Sequence, residues 1–297
     1  MNTIDLHVHS TCSDGTRTPT ELVALASSIG LSAFALTDHD STDGVAEALQ
    51  ASAALPEEKR PEVLPGIEFS TEYLGSDIHI VGLDMQFQSP EFQATVASFR
   101  DDRLSRNKKM IARMAADHID ISYEAMAAEY GEQVWTRAHF ARYLVEHGYV
   151  ASREEAFASL IGEGCRYYVP RSRIRPEEAV DLIRRFDGIP ILAHPMLYSY
   201  DDAGLRKLLA RLKEHGLLGM EVYYSTHTLQ QEAYVATLAT EFGLLPSGGS
   251  DFHGANKPDI SLGSGRGNLS IPCEVLDALR EARDRARNIK GGSYDIS

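Results

Sequence analysis

The chain has 297 residues, 43% of them hydrophobic, which is enough for a large buried core, and its length suits one α/β barrel as well as two smaller domains. Its net charge of −14 disfavours binding to long nucleic acid, because an acidic surface repels the phosphate backbone. No run of about 18 apolar residues is present to span a membrane, and Cys12, Cys165 and Cys273 are too scattered for a disulfide framework or a thiolate zinc site.

The opening residues go straight into a strand-like run, without the basic, apolar and small-residue regions of a secretory leader, so a cytoplasmic location is expected. In that run, "TIDLHVHS", an extended chain puts His7 and His9 on one face with Asp5, and Leu6 and Val8 on the other. The segment "TPTELVALASSIG" predicts a helix: Thr18 suits the N-cap, Pro19 the first turn and Gly30 the stop. A strand at "LSAFALTDHD", a helix at "DGVAEALQASAAL" and strands at "EVLPGIEFS" and "DIHIVGLD" follow. The last two are joined by a short polar spacer with Gly75 that reads as a hairpin turn.

Between Pro90 and Arg166 the patterns are helical. "PEFQATVASFRDDRLSRNKKMIARMAADH" reads as one long helix with a basic side of Arg100, Arg103, Arg106, Lys108, Lys109 and Arg113, followed by shorter helices at "RAHFARYLVEHGY" and "REEAFASLIG". Residues 100–166 are therefore read as a helical subdomain inserted into an α/β domain formed by 1–99 and 167–297. Beyond the insertion, strands at "IPILAHP", "LGMEVYYS" and "GLLPSGGSDFH" alternate with helices, and a helix at "CEVLDALREARDRARN" ends the pattern. About seven strands in this alternation predict a mostly parallel α/β fold, barrel or open sheet.

Histidines and acids recur where these strands end. His7 and His9 close the first, with Asp14 in the loop beyond; Asp38, His39 and Asp40 close the second, and Glu68 the third. His79, His194, Glu221, Asp251 and His253 fall on the later strands or just past them. In parallel α/β folds functional groups gather at C-terminal strand ends. A lone histidine on an apolar face is more often a hydrogen-bonded core residue than a ligand. Six histidines with three carboxylates are another matter: buried and unpaired, each would cost several kcal/mol, and coordination to divalent cations removes that cost. Imidazole and carboxylate without thiolate suit manganese, iron or zinc in a hydrolytic site, and manganese is the expected cofactor.

The segments "DLHVHSTCSDGT", "LTDHDSTDG", "GIEFST", "DIHIVG", "LAHP" and "GGSDFHG", in this order along nearly the whole chain, resemble the successive motifs of the PHP (polymerase and histidinol phosphatase) family. The resemblance implies a distorted (β/α)7 barrel, the PHP fold, carrying the inserted helices, with three divalent metals at the strand ends. It implies His7, His9, Glu68 and Asp251 on one metal, Glu68, His79 and His194 on a second, and Asp14, His39 and His253 on a third, with Glu68 bridging the first two. Asp38 and Asp40 read equally as groups steadying the His39 imidazole and as loop or capping acids. Glu221 reads equally as an inward partner of the ligands and as a barrel-core residue.

Three divalent cations against three ligand carboxylates and one hydroxide leave such a pocket about +2, which fits a phosphate ester attacked at phosphorus by metal-bound hydroxide. No side chain is assigned as general acid. The inserted "WTRAHFARYLVEHGYVASREEAF" and the following "CRYYVPRSRIRPEEAV" resemble the PHP subgroup that removes the 3′-phosphate of nucleoside 3′,5′-bisphosphates, such as adenosine 3′,5′-bisphosphate, giving nucleoside 5′-monophosphate and phosphate. That subgroup includes 5′→3′ exoribonucleases acting on short RNA, and Ala138 stands where its pattern has Pro. Lys108, Arg137 and Arg171 are expected to hold the substrate's second phosphate, since a guanidinium grips phosphate at two points. The bland reading of Lys108 is a solvated helix face. Trp135, Tyr167 or Tyr168 would stack on a base, or pack in a core. The expected partner is thus a small nucleotide, with no long nucleic acid and no membrane. The alternatives are an exonuclease on short 5′-phosphorylated oligonucleotides, a histidinol phosphatase, and a noncatalytic metal-binding PHP module.

Overall fold

The computed structural model describes residues 2–131, 135–170 and 174–291. The first half of the barrel is β1 (Thr3–Val8), α1 (Pro19–Ser28), β2 (Ala33–Leu36), α2 (Val45–Ala53), β3 (Glu62–Tyr73) and β4 (Ser76–Leu83). The inserted helices are α3 (Pro90–Ala116), α4 (Tyr123–Tyr130), α5 (Arg137–Glu146) and α6 (Arg153–Ala156). The chain returns through α7 (Pro176–Arg185), β5 (Ile189–Leu192), α8 (Asp202–Glu214), β6 (Gly219–Tyr224), α9 (Leu229–Glu241), β7 (Leu245–Gly249), β8 (Ile271–Pro272) and α10 (Glu274–Gly291).

The local signals act as expected where they are strongest. Thr18 and Glu21 form a reciprocal cap at the start of α1, and Gly30 leaves the helix at φ +72°. Tyr73 pairs with Ser76, so β3 and β4 form a hairpin with a two-residue turn at Leu74 and Gly75, both at positive φ.

The sheet runs β7-β6-β5-β4-β3-β2-β1-β8. All neighbours are parallel except β4, antiparallel to both β3 and β5, and β8, antiparallel to β1. The eighth strand is two residues long and has no alternation to betray it. The barrel nearly closes where the end of β7 meets β1: Asp251 N–H donates to His7 O and His9 N–H to Phe252 O, at 2.9 and 3.0 Å. Gly249 makes that approach possible, because a Cβ there would sit 2.5 Å from the backbone nitrogen of His7.

Strand parity sets up the interior. Leu64 and Glu68 share a face of β3, and Leu83, Val81 and His79 share a face of β4. The lower members of these rows join Ile4, Leu6, Ala35, Ile189 and Ile191 in an apolar core plugged from below by Val275, Leu276 and Leu279 of α10. The polar members form the layer above. On β1, Asp5 pairs with Phe34 but Val8 with Leu36, so the strand bulges by one residue. That bulge breaks the strict alternation expected there: Leu6 enters the interior core, while Val8 packs outside with α1 and α2. Helix α3 serves two cores. Phe92 and Val96 pack on the barrel with α7 and α8, whereas Met110, Ile111 and Met114 pack among the inserted helices with Trp135, Phe140 and Leu144.

Helix α10 is also tied down by charge, with Arg280 and Arg283 donating to Asp84 at 3.0 and 2.7 Å. Burial pushes the Asp84 carboxyl up, but the two guanidinium groups outweigh it and hold its pKa below the usual value. A carboxyl depressed in this way stabilises the fold above its unfolded pKa of about 3.9 and loses that contribution as pH falls through the folded value. Asp84→Asn, which suits the positive φ of this position, is expected to cost about 1–2 kcal/mol at pH 7. Denaturant titrations should show the gap from wild type narrowing below about pH 4.

Candidate metal centre

All nine expected ligand positions converge at the top of the barrel. Glu68 stands at the middle, 1% exposed. Its Oε1 lies 2.7 Å from His79 Nδ1 and 3.1 Å from His194 Nε2; its Oε2 lies 3.3, 3.2 and 3.0 Å from ring nitrogens of His7, His9 and His39. Beside it, Asp251 Oδ1 sits 3.7 and 3.3 Å from His7 and His9 Nε2. On the other flank Asp14 meets His253 at 3.1 Å, and His9 and His39 at 3.7 Å. Glu68 does not end its strand as the sequence suggested: β3 runs on to Tyr73 as the hairpin rises above the barrel. His79 reaches the site from the first half of β4, because that strand runs the opposite way.

Among the described residues, three sets of donors lie within 4.8 Å of one another: His9, Asp14, His39 and His253; His7, His9 and Glu68; His39, Glu68 and His79. His9 and His39 each serve two sets, which the family pattern did not suggest, and His194 touches the cluster through Glu68. The donors fit divalent cations. They are nitrogens and carboxylate oxygens without sulfur. His39 Nδ1 and His194 Nδ1 are buried without a hydrogen-bond partner, and His39 Nδ1, although 3.0 Å from Glu68, is not aligned to bond to it. A cation satisfies such an atom where no donor or acceptor does.

The electrostatics point the same way. Burial disfavours every charge here, yet Glu68 and Asp14 are held well below the usual carboxylate range by the imidazoles, and Asp251 by Lys257 first and then by His253, His7 and His9. Burial also opposes a charge on His7 and His9, but neighbouring carboxylates raise His7 well above its ordinary value and His9 to about 9. His39, by contrast, is pushed down to about 3 by burial and stays neutral, with one ring nitrogen free to coordinate. The site thus carries ionised carboxylates and recruits protons onto two imidazoles as substitute cations.

A ring of hydrogen bonds aims the donors. Glu221 bonds His7 Nδ1 at 2.7 Å and accepts the backbone N–H of His194 at 2.7 Å, leaving His7 Nε2 turned to the cluster. Tyr224 and Lys257 both donate to Asp251 Oδ2, at 2.6 and 2.5 Å, leaving Oδ1 to face the imidazoles. Thr136, the cap of α5, donates to Asp14 at 3.0 Å. Asp38 takes hydrogen bonds from Ser10 and Ser13, and so steadies the loop beneath His9. Asp40 accepts from Ser70 N–H and from the buried Arg103 guanidinium. Asp40, His194 and Asp251 all adopt positive φ, a strained backbone for residues other than glycine and one that clusters at functional sites.

Two cavities flank the cluster and share Asp14, His39, His79 and Ala138. One, of about 220 Å³, lies under the inserted helices and is lined by Arg103, Arg106 and Arg137. Arg137 pairs with Asp77 and lies 5.5 Å from the Tyr168 ring, and burial lowers its pKa without discharging it. The structure does not bring Lys108 here: it is exposed on α3 and lies over Tyr123 at 5.6 Å. Arg171 lies outside the described residues. Trp135 and Tyr167 are buried in the helical core, while Tyr168 is half-buried. Sequence reasoning passed over Arg103 and Arg106 as members of a basic helix side. The signal was there: Phe92, Val96, Arg103, Arg106, Asn107, Met110 and Met114 form one helical stripe, so these arginines lie on the apolar face.

A family model described as "PHP domain" matches residues 5–189. A 5′-3′ exoribonuclease of Haemophilus influenzae is 37% identical over 249 residues, covering 84% of this chain and 89% of that protein. A 3′,5′-nucleoside bisphosphate phosphatase of Chromobacterium violaceum is 34% identical over 264 residues, covering 89% and 91%. A solved structure from Bifidobacterium adolescentis, titled as a metal-dependent phosphoesterase, aligns over 95% of this chain and 96% of its own with a TM-score of 0.80 at 29% identity. Among the described residues, no helix is long and apolar enough to cross a membrane.

Proposed function

The chain belongs to the PHP domain family of metal-dependent phosphoesterases, and on that premise we propose that it removes the 3′-phosphate from nucleoside 3′,5′-bisphosphates. One observation carries the reading: a cavity with three arginines, Arg103, Arg106 and Arg137, opens directly onto the histidine and carboxylate cluster. A substrate with a single phosphate has no use for a second cationic pocket. A bisphosphate does, with the 5′-phosphate in the arginine fork and the 3′-phosphate over the cluster. The relative named as a bisphosphate phosphatase supports this choice over histidinol phosphate.

His7, His9, Asp14, His39, Glu68, His79, His194, Asp251 and His253 would hold the cations, three if every set fills, with manganese the first choice. Bound there, divalent metal supplies Lewis acidity toward the phosphoryl oxygens and an activated water. The chain's own contribution is placement. Glu221, Tyr224 and Thr136 lock ligand side chains before substrate arrives. Arg103, fixed by Asp40 and Ser70, and Arg137, fixed by Asp77, hold the remote phosphate and so orient the 3′-ester.

The test is phosphate release by the manganese-loaded protein from adenosine 3′,5′-bisphosphate, histidinol phosphate, AMP and a 5′-phosphorylated oligonucleotide. We expect the bisphosphate to be turned over and AMP to be inert, since AMP leaves the site over the cluster empty. Turnover of histidinol phosphate alone would overturn the reading.

A further inference from the structure

The inserted helices carry a core of their own. Met110, Met114, Trp135, Phe140, Leu144 and Tyr167 pack together, and every member of that cluster lies between residues 110 and 169. Where these helices meet the barrel beside the cluster, the bonds are polar: Thr136 to Asp14, Arg137 to Asp77 and Arg153 to Asn256. A unit with its own core, held through polar bonds, can loosen from its neighbour without opening an apolar core. Two of those bonds come from adjacent residues. Thr136 Oγ1 accepts the Ala138 N–H at 3.1 Å and donates to Asp14 Oδ2 at 3.0 Å. Both residues are buried, so losing this bond leaves a buried carboxylate oxygen short of a donor. The other oxygen of Asp14 faces the donors of its set, 3.1 Å from His253 Nε2 and 3.7 Å from His9 Nδ1. Arg137, the next residue along, lines the arginine cavity. Behind them Asn107 of α3 donates to Trp135 O at 3.0 Å and Trp135 Nε1 to Gly131 O at 2.9 Å, which braces the start of α5 against the helical core.

We propose that Thr136 couples the two halves of the site: a 5′-phosphate on Arg137 and a divalent cation in the His9, Asp14, His39 and His253 set each raise the other's affinity. The proposal rests on the arginine cavity holding the 5′-phosphate. Its physical basis is shared ordering. A cation held by Asp14 fixes the carboxylate to which Thr136 donates, and with it the start of α5. A phosphate held by Arg137 fixes the same turn from the other side. Whichever ligand arrives first orders the turn, and the second no longer bears that cost. The effect is reciprocal, because both ligands favour the same docked arrangement of the inserted helices. Thr136 is thus a positioning residue that links metal loading to the remote phosphate. When metal is scarce, a substrate with a 5′-phosphate helps to fill the set beside Asp14, and an ester without one does not.

The experiment measures the dissociation constant of AMP by calorimetry in metal-free and manganese-loaded protein. AMP is the probe because it is expected to stay intact with its phosphate on Arg137. We expect manganese to tighten AMP binding about tenfold, and saturating AMP to tighten one class of manganese site, read from the EPR signal of the free ion, by the same factor. Thr136→Gly keeps a residue that suits an N-cap and Thr136→Val keeps the side-chain shape, while both remove the hydroxyl. In each the factor should fall to about threefold or less, the remainder being direct attraction between phosphate and cation. Thr136→Ser should keep the wild-type factor. Two variants that disturb the helix differently keep the test open if one of them fails to fold. A wild type whose AMP affinity ignores manganese overturns the proposal, as does a wild-type factor that survives in a folded Gly or Val variant. AMP that fails to bind, or that binds Arg137→Ala as tightly as wild type, removes the reading of the arginine cavity first, and so separates the two failures.

Discussion

Glu68→Gln is expected to lower kcat/KM by about four orders of magnitude, or about 5.5 kcal/mol of transition-state stabilisation at about 1.36 kcal/mol per decade. Glutamine keeps the shape and removes the charge. Five imidazoles turn a nitrogen toward this one carboxylate, at 2.7 to 3.3 Å. Among the described residues the neighbouring acids are engaged elsewhere: Asp14 faces His9, His39 and His253, Asp251 is held by Tyr224 and Lys257 on its second oxygen, and Glu221 is held by His7 Nδ1 and the His194 N–H. The amide also offers one acceptor where the carboxylate offers two, so histidines on both sides cannot be served together. Metal content per chain, measured by elemental analysis, should drop with activity. The metal-free protein gives an independent reading. His9, raised to about 9 against burial by its carboxylate partners, Glu68 among them, should titrate lower in the variant when followed by NMR. Activity within tenfold of wild type in a folded variant would mean that Glu68 is not the centre of the site.

Much of this site was legible because strands and metals impose matching rules. A strand delivers His7 and His9 together at two-residue spacing, and each later strand end adds an acid or imidazole at a point that packing alone does not require. What escaped was set by tertiary geometry. The hairpin turn at Gly75 was legible; what the sequence does not show is that β3 runs on past Glu68 to Tyr73, so that the antiparallel return delivers His79 early in β4. The bulge in β1 appears only when its pairing with β2 is laid out, because one inserted residue changes no composition. The cationic pocket was misjudged for a related reason. Lys108 and Arg106 are two residues apart on α3 and therefore about 200° apart around it. Only the register fixed by Val96, Met110 and Met114 decides which of them faces inward. Glu221 was seen but left between two roles, and Tyr224 was missed: β6 bulges between Glu221 and Tyr223, so a simple inward and outward count along "GMEVYY" cannot assign both.

Arg137→Ala is expected to reduce the preference for a 5′-phosphate about 100-fold, equivalent to about 2.7 kcal/mol. The readout is kcat/KM for adenosine 3′,5′-bisphosphate divided by that for adenosine 3′-monophosphate, which lacks the anchored group. The magnitude follows from position. Arg137 begins α5, the helix whose cap residue Thr136 already bonds Asp14, so its guanidinium is held at a set distance from the cluster. Asp77 at the tip of the β3–β4 hairpin and the Tyr168 ring hold it from two further sides. A side chain positioned in advance gives up little entropy when phosphate arrives, so most of its charge-assisted hydrogen bonding goes into binding. Lysine should recover only part of the ratio, because an ammonium keeps the charge but cannot match two phosphate oxygens with a planar fork. The loss should appear largely in KM if the contact is equal in ground and transition states, and in kcat if anchoring is what aligns the ester over the cluster. A ratio that stays at the wild-type value would place the 5′-phosphate elsewhere, with Arg103 and Arg106 the next residues to replace.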